Sequence, residues 1–183
     1  IQAEGGAVLD GSDAGFLDRK GPYRWSSMEV GRRRSVYDYV ADCDWPVNYV
    51  AIDDVKLYGY DNLEDMMLCR SGPPGGWYQD REAGQLYIHV TRAYASPNHT
   101  KTVVARLDEG LILDGEYILV DGLEIRYFGR HGVQINGSNN VVQDCLIHHQ
   151  DVGVNIYSNQ VHNTTIQDNE VYQTSVWRWP WHM

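Results

Sequence analysis

The sequence predicts an all-β chain, a short parallel β-helix with an antiparallel β-rich subdomain inserted into it. Two observations carry the helix. Gly132-Val133-Gln134-Ile135 returns as Gly153-Val154-Asn155-Ile156, 21 residues later. Asn140-Val141-Val142-Gln143-Asp144 returns as Thr164-Thr165-Ile166-Gln167-Asp168, with Asp144 and Asp168 24 apart. Ile125, Ile147 and Val171 step by 22 and then 24. Such a period with short alternating apolar runs belongs to a solenoid, and the regular leucines of a leucine-rich repeat are absent. The third observation is a long stretch outside the period that carries its own hairpin signals.

Each coil reads as three short strands and three bends. In Gly132–Ile135, Val133 and Ile135 share one face and Gln134 takes the other. Asn136-Gly137-Ser138-Asn139-Asn140 is a turn by composition. Val141–Gln143 is the second strand, Asp144 a tight bend, and Cys145–Ile147 a third strand with Cys145 and Ile147 inward. Residues His148 to Val152 close the coil. Asp121, Asp144 and Asp168 are expected to stack in a column at one bend, where Asp suits the backbone geometry. A calcium column is the other reading of those carboxylates.

In chain order, residues 1–15 are expected to hold a first coil, 16–101 the insertion, 102–175 the further coils and 176–183 a Trp-rich tail. Ala7-Val8-Leu9-Asp10-Gly11 is like Leu111-Ile112-Leu113-Asp114-Gly115, which predicts that Asp10 stacks on Asp114. Ile1-Gln2-Ala3 then reads as the end of a coil whose earlier strands are missing. Within the insertion, Asn48–Ile52 and Val55–Tyr58 flank Asp53-Asp54 as a hairpin. Asp61 is expected to cap a short helical turn through Met67. Ser71–Gly76 is a loop, and Trp77–Asp80 and Gln85–Val90 form another hairpin around Arg81–Gly84. Arg32-Arg33-Arg34 reads as a solvated loop.

The formal charge of −10 argues against nucleic acid and anionic membranes as partners. No apolar run is long enough to insert into a membrane. Thirteen Tyr and six Trp against two Phe suit exposed β surface and flat ligands such as sugar rings. Cys145 aligns with Leu123 as a small buried hydrophobe, while a Cys43–Cys69 pairing stays open. No spacing calls for a metal or a cofactor.

Gly75-Gly76-Trp77-Tyr78-Gln79-Asp80, Gly84-Gln85-Leu86-Tyr87-Ile88, Ile112-Leu113-Asp114-Gly115 and the Gly-Val-x-Ile coils resemble bacterial right-handed parallel β-helix proteins of the pectin-lyase-like superfamily. Carbohydrate-active members such as glycoside hydrolase family 141 carry a comparable insertion after an early coil. The resemblance implies a secreted or periplasmic protein that acts on a polysaccharide or oligosaccharide, as a glycoside hydrolase or polysaccharide lyase. It also implies more coils than these 183 residues hold. The alternative is a non-catalytic carbohydrate-binding or structural β-helix.

In such helices the groove follows the first strand and its flanking turns. That face offers Gln134 and Asn155, with Arg130, His131, His149 and Asp151 before them and Asn136 and Tyr157 after. Asp151 is the one carboxylate expected there, whereas a glycosidase needs two. A lyase needs a base and a cation, which His131 or His149 and Arg130 would supply. The structural reading is an Arg130–Asp151 pair tying adjacent coils. Aligning Gly153 with Ser175 would put Arg178 in the core, so the tail must leave the coil. Trp177 and Trp179 either cover the open end of the stack or stack on sugar, and an uncovered end offers a surface for self-association.

Overall fold

Strand β1 (Val8–Asp10) runs parallel to a strand more than a hundred residues away in sequence, and it does not begin a coil. It pairs Val8 with Glu124, Leu9 with Ile125 and Asp10 with Arg126, in the third sheet of the helix. The expected stacking of Asp10 on Asp114 is thereby corrected. A short apolar strand ending in Asp-Gly suits more than one side of the coil, so the likeness of the two pentapeptides does not fix a place. The computed structural model describes residues 6–17, 23–30, 32–91 and 96–174. The described residues up to Ser12 and from Ala105 onward form one compact unit, and those from Asp13 to Val104 form a second.

The second unit begins with α1 (Ala14–Leu17), which buries Phe16. Strands β2 (Ser26–Val30) and β3 (Arg33–Asp42) follow and pair antiparallel with each other. The arginine run is therefore corrected from loop to strand from Arg33 on. Alternation through Tyr39 and Ala41, both buried, extends the strand, and its exposed start tolerates Arg34. Strands β4 (Val50–Ile52) and β5 (Val55–Lys56) form the expected hairpin. Asp53 and Asp54 both take positive φ, 49° and 63°, as a type I′ turn requires. Strand β6 (Tyr58–Gly59) leads into α2 (Leu63–Leu68). The helix cap is Asn62, one residue beyond the expected Asp61, because its side chain accepts the Asp65 N–H at 2.8 Å. Strands β7 (Gly76–Asp80) and β8 (Gln85–His89) make the second expected hairpin, and β9 (Thr102–Val104) joins β4. The sheets run β2-β3-β8-β7-β6 and β5-β4-β9. Their core gathers Phe16, Trp25, Tyr39, Trp45, Leu86 and Ile88.

The first unit then winds through β10 (Glu109–Leu113), β11 (Leu119–Asp121) and β12 (Glu124–Arg126). The next coil is β13 (His131–Ile135), β14 (Val141–Gln143) and β15 (Leu146–Gln150). The last is β16 (Val152–Ile156), β17 (Thr165–Gln167) and β18 (Glu170–Thr174). Three parallel sheets result, β10-β13-β16, β11-β14-β17 and β1-β12-β15-β18. Val133 pairs with Val154, Gln134 with Asn155 and Ile135 with Ile156, as the repeat requires.

The corners share a backbone device. Tyr117, Asn139 and Asn163 have φ of 60°, 61° and 54°, and Tyr127, His149 and Gln173 have 60°, 57° and 50°. Gly122, Asp144 and Asp168 complete the set at 73°, 52° and 54°. Each triple stacks across three coils, so the left-handed residue is what turns the chain at each corner. This corrects the aspartate column. Asp121 pairs with Gln143 within a strand, and Gly122 occupies the corner that Asp144 and Asp168 hold later. Glycine takes that conformation without strain, and Asp tolerates it.

Ile135, Val142 and Ile147 are fully buried at 0% exposure. Their register partners in the last coil, Ile156, Ile166 and Val171, are 48%, 43% and 45% exposed. The apolar columns thus reach solvent at this end among the described residues. The expected covering tail, with Trp177 and Trp179, lies outside the described residues.

All three cysteines are free, and Cys43 and Cys145 are buried. Burial pushes the Cys145 thiol above its ordinary value of 9.0. Native protein treated with iodoacetamide at neutral pH should therefore be modified at half-buried Cys69 alone, with Cys43 and Cys145 reacting only in denaturant, as read by peptide mass. Native modification of Cys145 would contradict this packing.

Candidate functional site

The first sheet of the helix presents a carboxylate–imidazole pair. Glu109 and His131 are register partners on β10 and β13. His131 Nδ1 lies 2.7 Å from Glu109 Oε2, and the two side chains are 12% and 22% exposed. A carboxylate only accepts, so Nδ1–H donates to Glu109, and in the neutral ring Nε2 is then the nitrogen that carries the lone pair. The expectation that Asp151 is the one carboxylate on this face is corrected by Glu109. Counting 22 residues back from His131 reaches Glu109, but no motif marks the start of β10.

Arg130 and Asp151 directly precede the paired residues His131 and Val152, which sets them level. The Val152 N–H donates to the Arg130 carbonyl at 2.8 Å. The Arg130 side chain is exposed and Asp151 is half-buried. Gln134 and Asn155 stack as expected. Gln134 Nε2 donates to Asn136 Oδ1 at 3.1 Å, and Asn136 Nδ2 donates to Asp114 Oδ1 at 2.6 Å. Gln134 is therefore linked through Asn136 to Asp114 on the neighbouring coil. Tyr157, just beyond β16, is 73% exposed.

His149, expected before that row as a candidate base, is held away from solvent. It lies near the end of β15 and is buried, at 7% exposure. Its partner is His148, the two Nδ1 atoms being in hydrogen-bond contact. His148 stacks on Tyr172 with centroids 4.8 Å apart and planes 6° apart, and its Nε2 lies 3.3 Å from Glu124 Oε1. Arg126 then bridges two carboxylates, Glu124 at 2.7 Å and Asp10 at 2.9 Å. Burial alone would lower the Arg126 value, but the Asp10 hydrogen bond and charge, with the Glu124 charge, raise it. The sequence hides this cluster because Asp10 and Arg126 stand 116 residues apart. Its groups meet one another, and it fastens β1 to β12. Arg126→Met should leave two half-buried carboxylates facing each other and cost about 1–3 kcal/mol in urea unfolding. An unchanged midpoint would make the cluster energetically idle.

Among the described residues no group of three or more His, Cys, Asp and Glu is placed to hold a metal ion. No described helix is long and apolar enough to cross a membrane.

Residues 88–178 match the family model of the right handed beta helix region. No curated protein matches the sequence. Among solved structures, XylC in complex with xylose is similar, with a TM-score of 0.53 and 12% identity. The match covers 94% of this chain, which spans 40% of that one. At that identity the likeness is one of fold. With the parallel registers above, it makes the chain a right-handed parallel β-helix carrying additional antiparallel sheets.

Proposed function

We propose that this protein cleaves an extracellular polysaccharide on the β10-β13-β16 face, in a secreted or periplasmic setting, as carbohydrate-active bacterial β-helix proteins resembling glycoside hydrolase family 141 would. The Glu109–His131 pair carries the reading. A histidine whose Nδ1 proton is held by a carboxylate presents Nε2 as a general base. The reaction that such a base suits is β-elimination on a uronate. Nε2 removes the proton α to the sugar carboxylate, the electron pair forms a carbon–carbon double bond, and the glycosidic oxygen leaves with a proton from water. Arg130, exposed beside His131, would neutralise the carboxylate and so acidify that proton. The Gln134–Asn155 row and Tyr157 would line the path of the chain. The xylose held by XylC supports a sugar ligand on this fold.

Hydrolysis is the second reading, and Glu109 with Asp151 favours it. The two are two strands apart and one residue out of register, a backbone separation of roughly 10 Å. Side chains that lean toward each other would bring the carboxyls within the roughly 6.5–9.5 Å used by inverting glycosidases.

Incubating the protein with neutral and uronic-acid polysaccharides, read by reducing ends and by ultraviolet absorbance of unsaturated uronate, tests the proposal. Both signals should rise together on a uronate polymer. Reducing ends alone would favour hydrolysis, and neither signal would leave a carbohydrate-binding β-helix.

A further inference from the structure

On the β10-β13-β16 face one carboxylate sets the direction of a chain of hydrogen bonds. Asp114, exposed just after β10, accepts from Asn136 Nδ2 at 2.6 Å, and Asn136 Oδ1 accepts from Gln134 Nε2 at 3.1 Å. An ionised carboxylate only accepts, so Asn136 must turn its NH₂ toward Asp114 and its carbonyl oxygen toward Gln134. That oxygen also accepts, so Gln134 must present its own NH₂ to Asn136. Reversing the Asn136 amide alone would set two acceptors against each other at Asp114 and two donors against each other at Gln134. Gln134 Oε1 is thereby turned away from Asn136. Among the described residues no donor reaches it, and it is not sealed from solvent, so it stays open to a bound molecule. Gln134 stands three residues along β13 from His131, roughly 10 Å at the rise of an extended strand. A sugar ring at Gln134 is therefore a neighbour of the ring that meets His131.

We propose that Asp114 and Asn136 are positioning residues that hold Gln134 as a hydrogen-bond acceptor, so that the subsite beside the reacting sugar selects a ring offering a hydroxyl proton. The inference deepens the reading of this face as the path of a polysaccharide and rests on it. A hydroxyl donates to Oε1, whereas a carboxylate or an ether oxygen only accepts and is turned away. The carboxylate of a uronate is thereby kept off Oε1 and left to Arg130, which directly precedes β13. One hydrogen bond made or left unpaired in this way is worth roughly tenfold in affinity.

The test is titration calorimetry of the full chain in a His131→Ala background, which leaves the ligand uncleaved. The ligands are an oligogalacturonate and its O-methyl ether, in which the hydroxyl protons are replaced. With Asp114 in place the ether should bind roughly tenfold more weakly than the parent. Asp114→Asn lets Asn136 and Gln134 reverse together, so that Gln134 offers N–H groups to the ether oxygens, and the difference should fall below about threefold. Asp114→Glu keeps a carboxylate and should restore most of the difference. The bulk of the methyl groups is the same for all three proteins, so it does not produce a change between them. Asp114 is exposed, so loss of fold does not confuse the result, and circular dichroism checks it. An unchanged difference in Asp114→Asn, or no binding of either oligomer, overturns the proposal. Discrimination that depends on Asp114, in a protein whose wild type cleaves no polysaccharide, contradicts the catalytic reading and leaves this one standing.

Discussion

His131→Ala is expected to lower the rate of polysaccharide cleavage by about 10²- to 10⁴-fold, the range that a positioned general base contributes. The side chain begins β13 at the surface of the first sheet, so its loss should leave the fold intact. Glu109→Gln should cost less, because an amide oxygen still accepts the Nδ1 proton at the 2.7 Å contact. Part of the loss would arise from the amide NH₂, which can donate to Nδ1 and hold the imidazole in the wrong tautomer. Initial rates at saturating and limiting substrate check both variants. A fall in kcat with KM held is the expected outcome. Wild-type kcat in His131→Ala would remove this face from catalysis.

Asn140→Ala is expected to destabilise the helix by about 3 kcal/mol, among the larger effects of a single substitution. Asn140 is fully buried, at 0% exposure. Its Oδ1 accepts the Ile118 N–H at 2.8 Å, and its Nδ2 donates to the Gly115 and Gly137 carbonyls at 2.9 and 3.0 Å. One side chain therefore satisfies three backbone groups on two neighbouring coils, and alanine removes all three bonds at once from a fully buried position. Gln167, exposed and bonded to Gln143 at 3.2 Å, provides the control, and Gln167→Ala should cost under about 0.5 kcal/mol. Urea unfolding measures both. Equal midpoints for the two variants would mean that the ladder residue carries no more than a surface amide.

The helix was legible because its strand residues repeat. Gly-Val-x-Ile recurs with both inward positions apolar, and one slip of register would turn Ile135 and Ile156 outward. Period alone was a poorer guide at the corners, because the spacings between paired strands are 21, 22 and 24 residues. A fixed step then lands on Asp121 where the corner holds Gly122. Local likeness misled at Ala7–Gly11, since apolar alternation before Asp-Gly fits any strand that meets a bend. The site divided along the same line. Gln134 and Asn155 lie within the repeat and could be placed by counting. Glu109 could not, because nothing beside Gly110 marks it as a strand residue until the pairing with His131 is seen. In the sequence His149 reads as a groove residue and His148 as part of the segment that closes the coil. They are buried because each supplies the other's hydrogen bond and Tyr172 covers one ring, which no pattern of polarity reveals. In the insertion, hairpins marked by Asp53-Asp54 and by Gly84 were readable, while between β2 and β3 the charge of Arg32-Arg33-Arg34 outweighed the one glycine, Gly31.

The most direct measurement is the mass of the oligosaccharides released from a uronate polymer in ¹⁸O-labelled water. Elimination by His131 predicts products one water lighter than their hydrolytic counterparts, carrying no label and absent from His131→Ala. Hydrated products that carry ¹⁸O, or unsaturated products formed equally by His131→Ala, would contradict the assignment of His131 as the base.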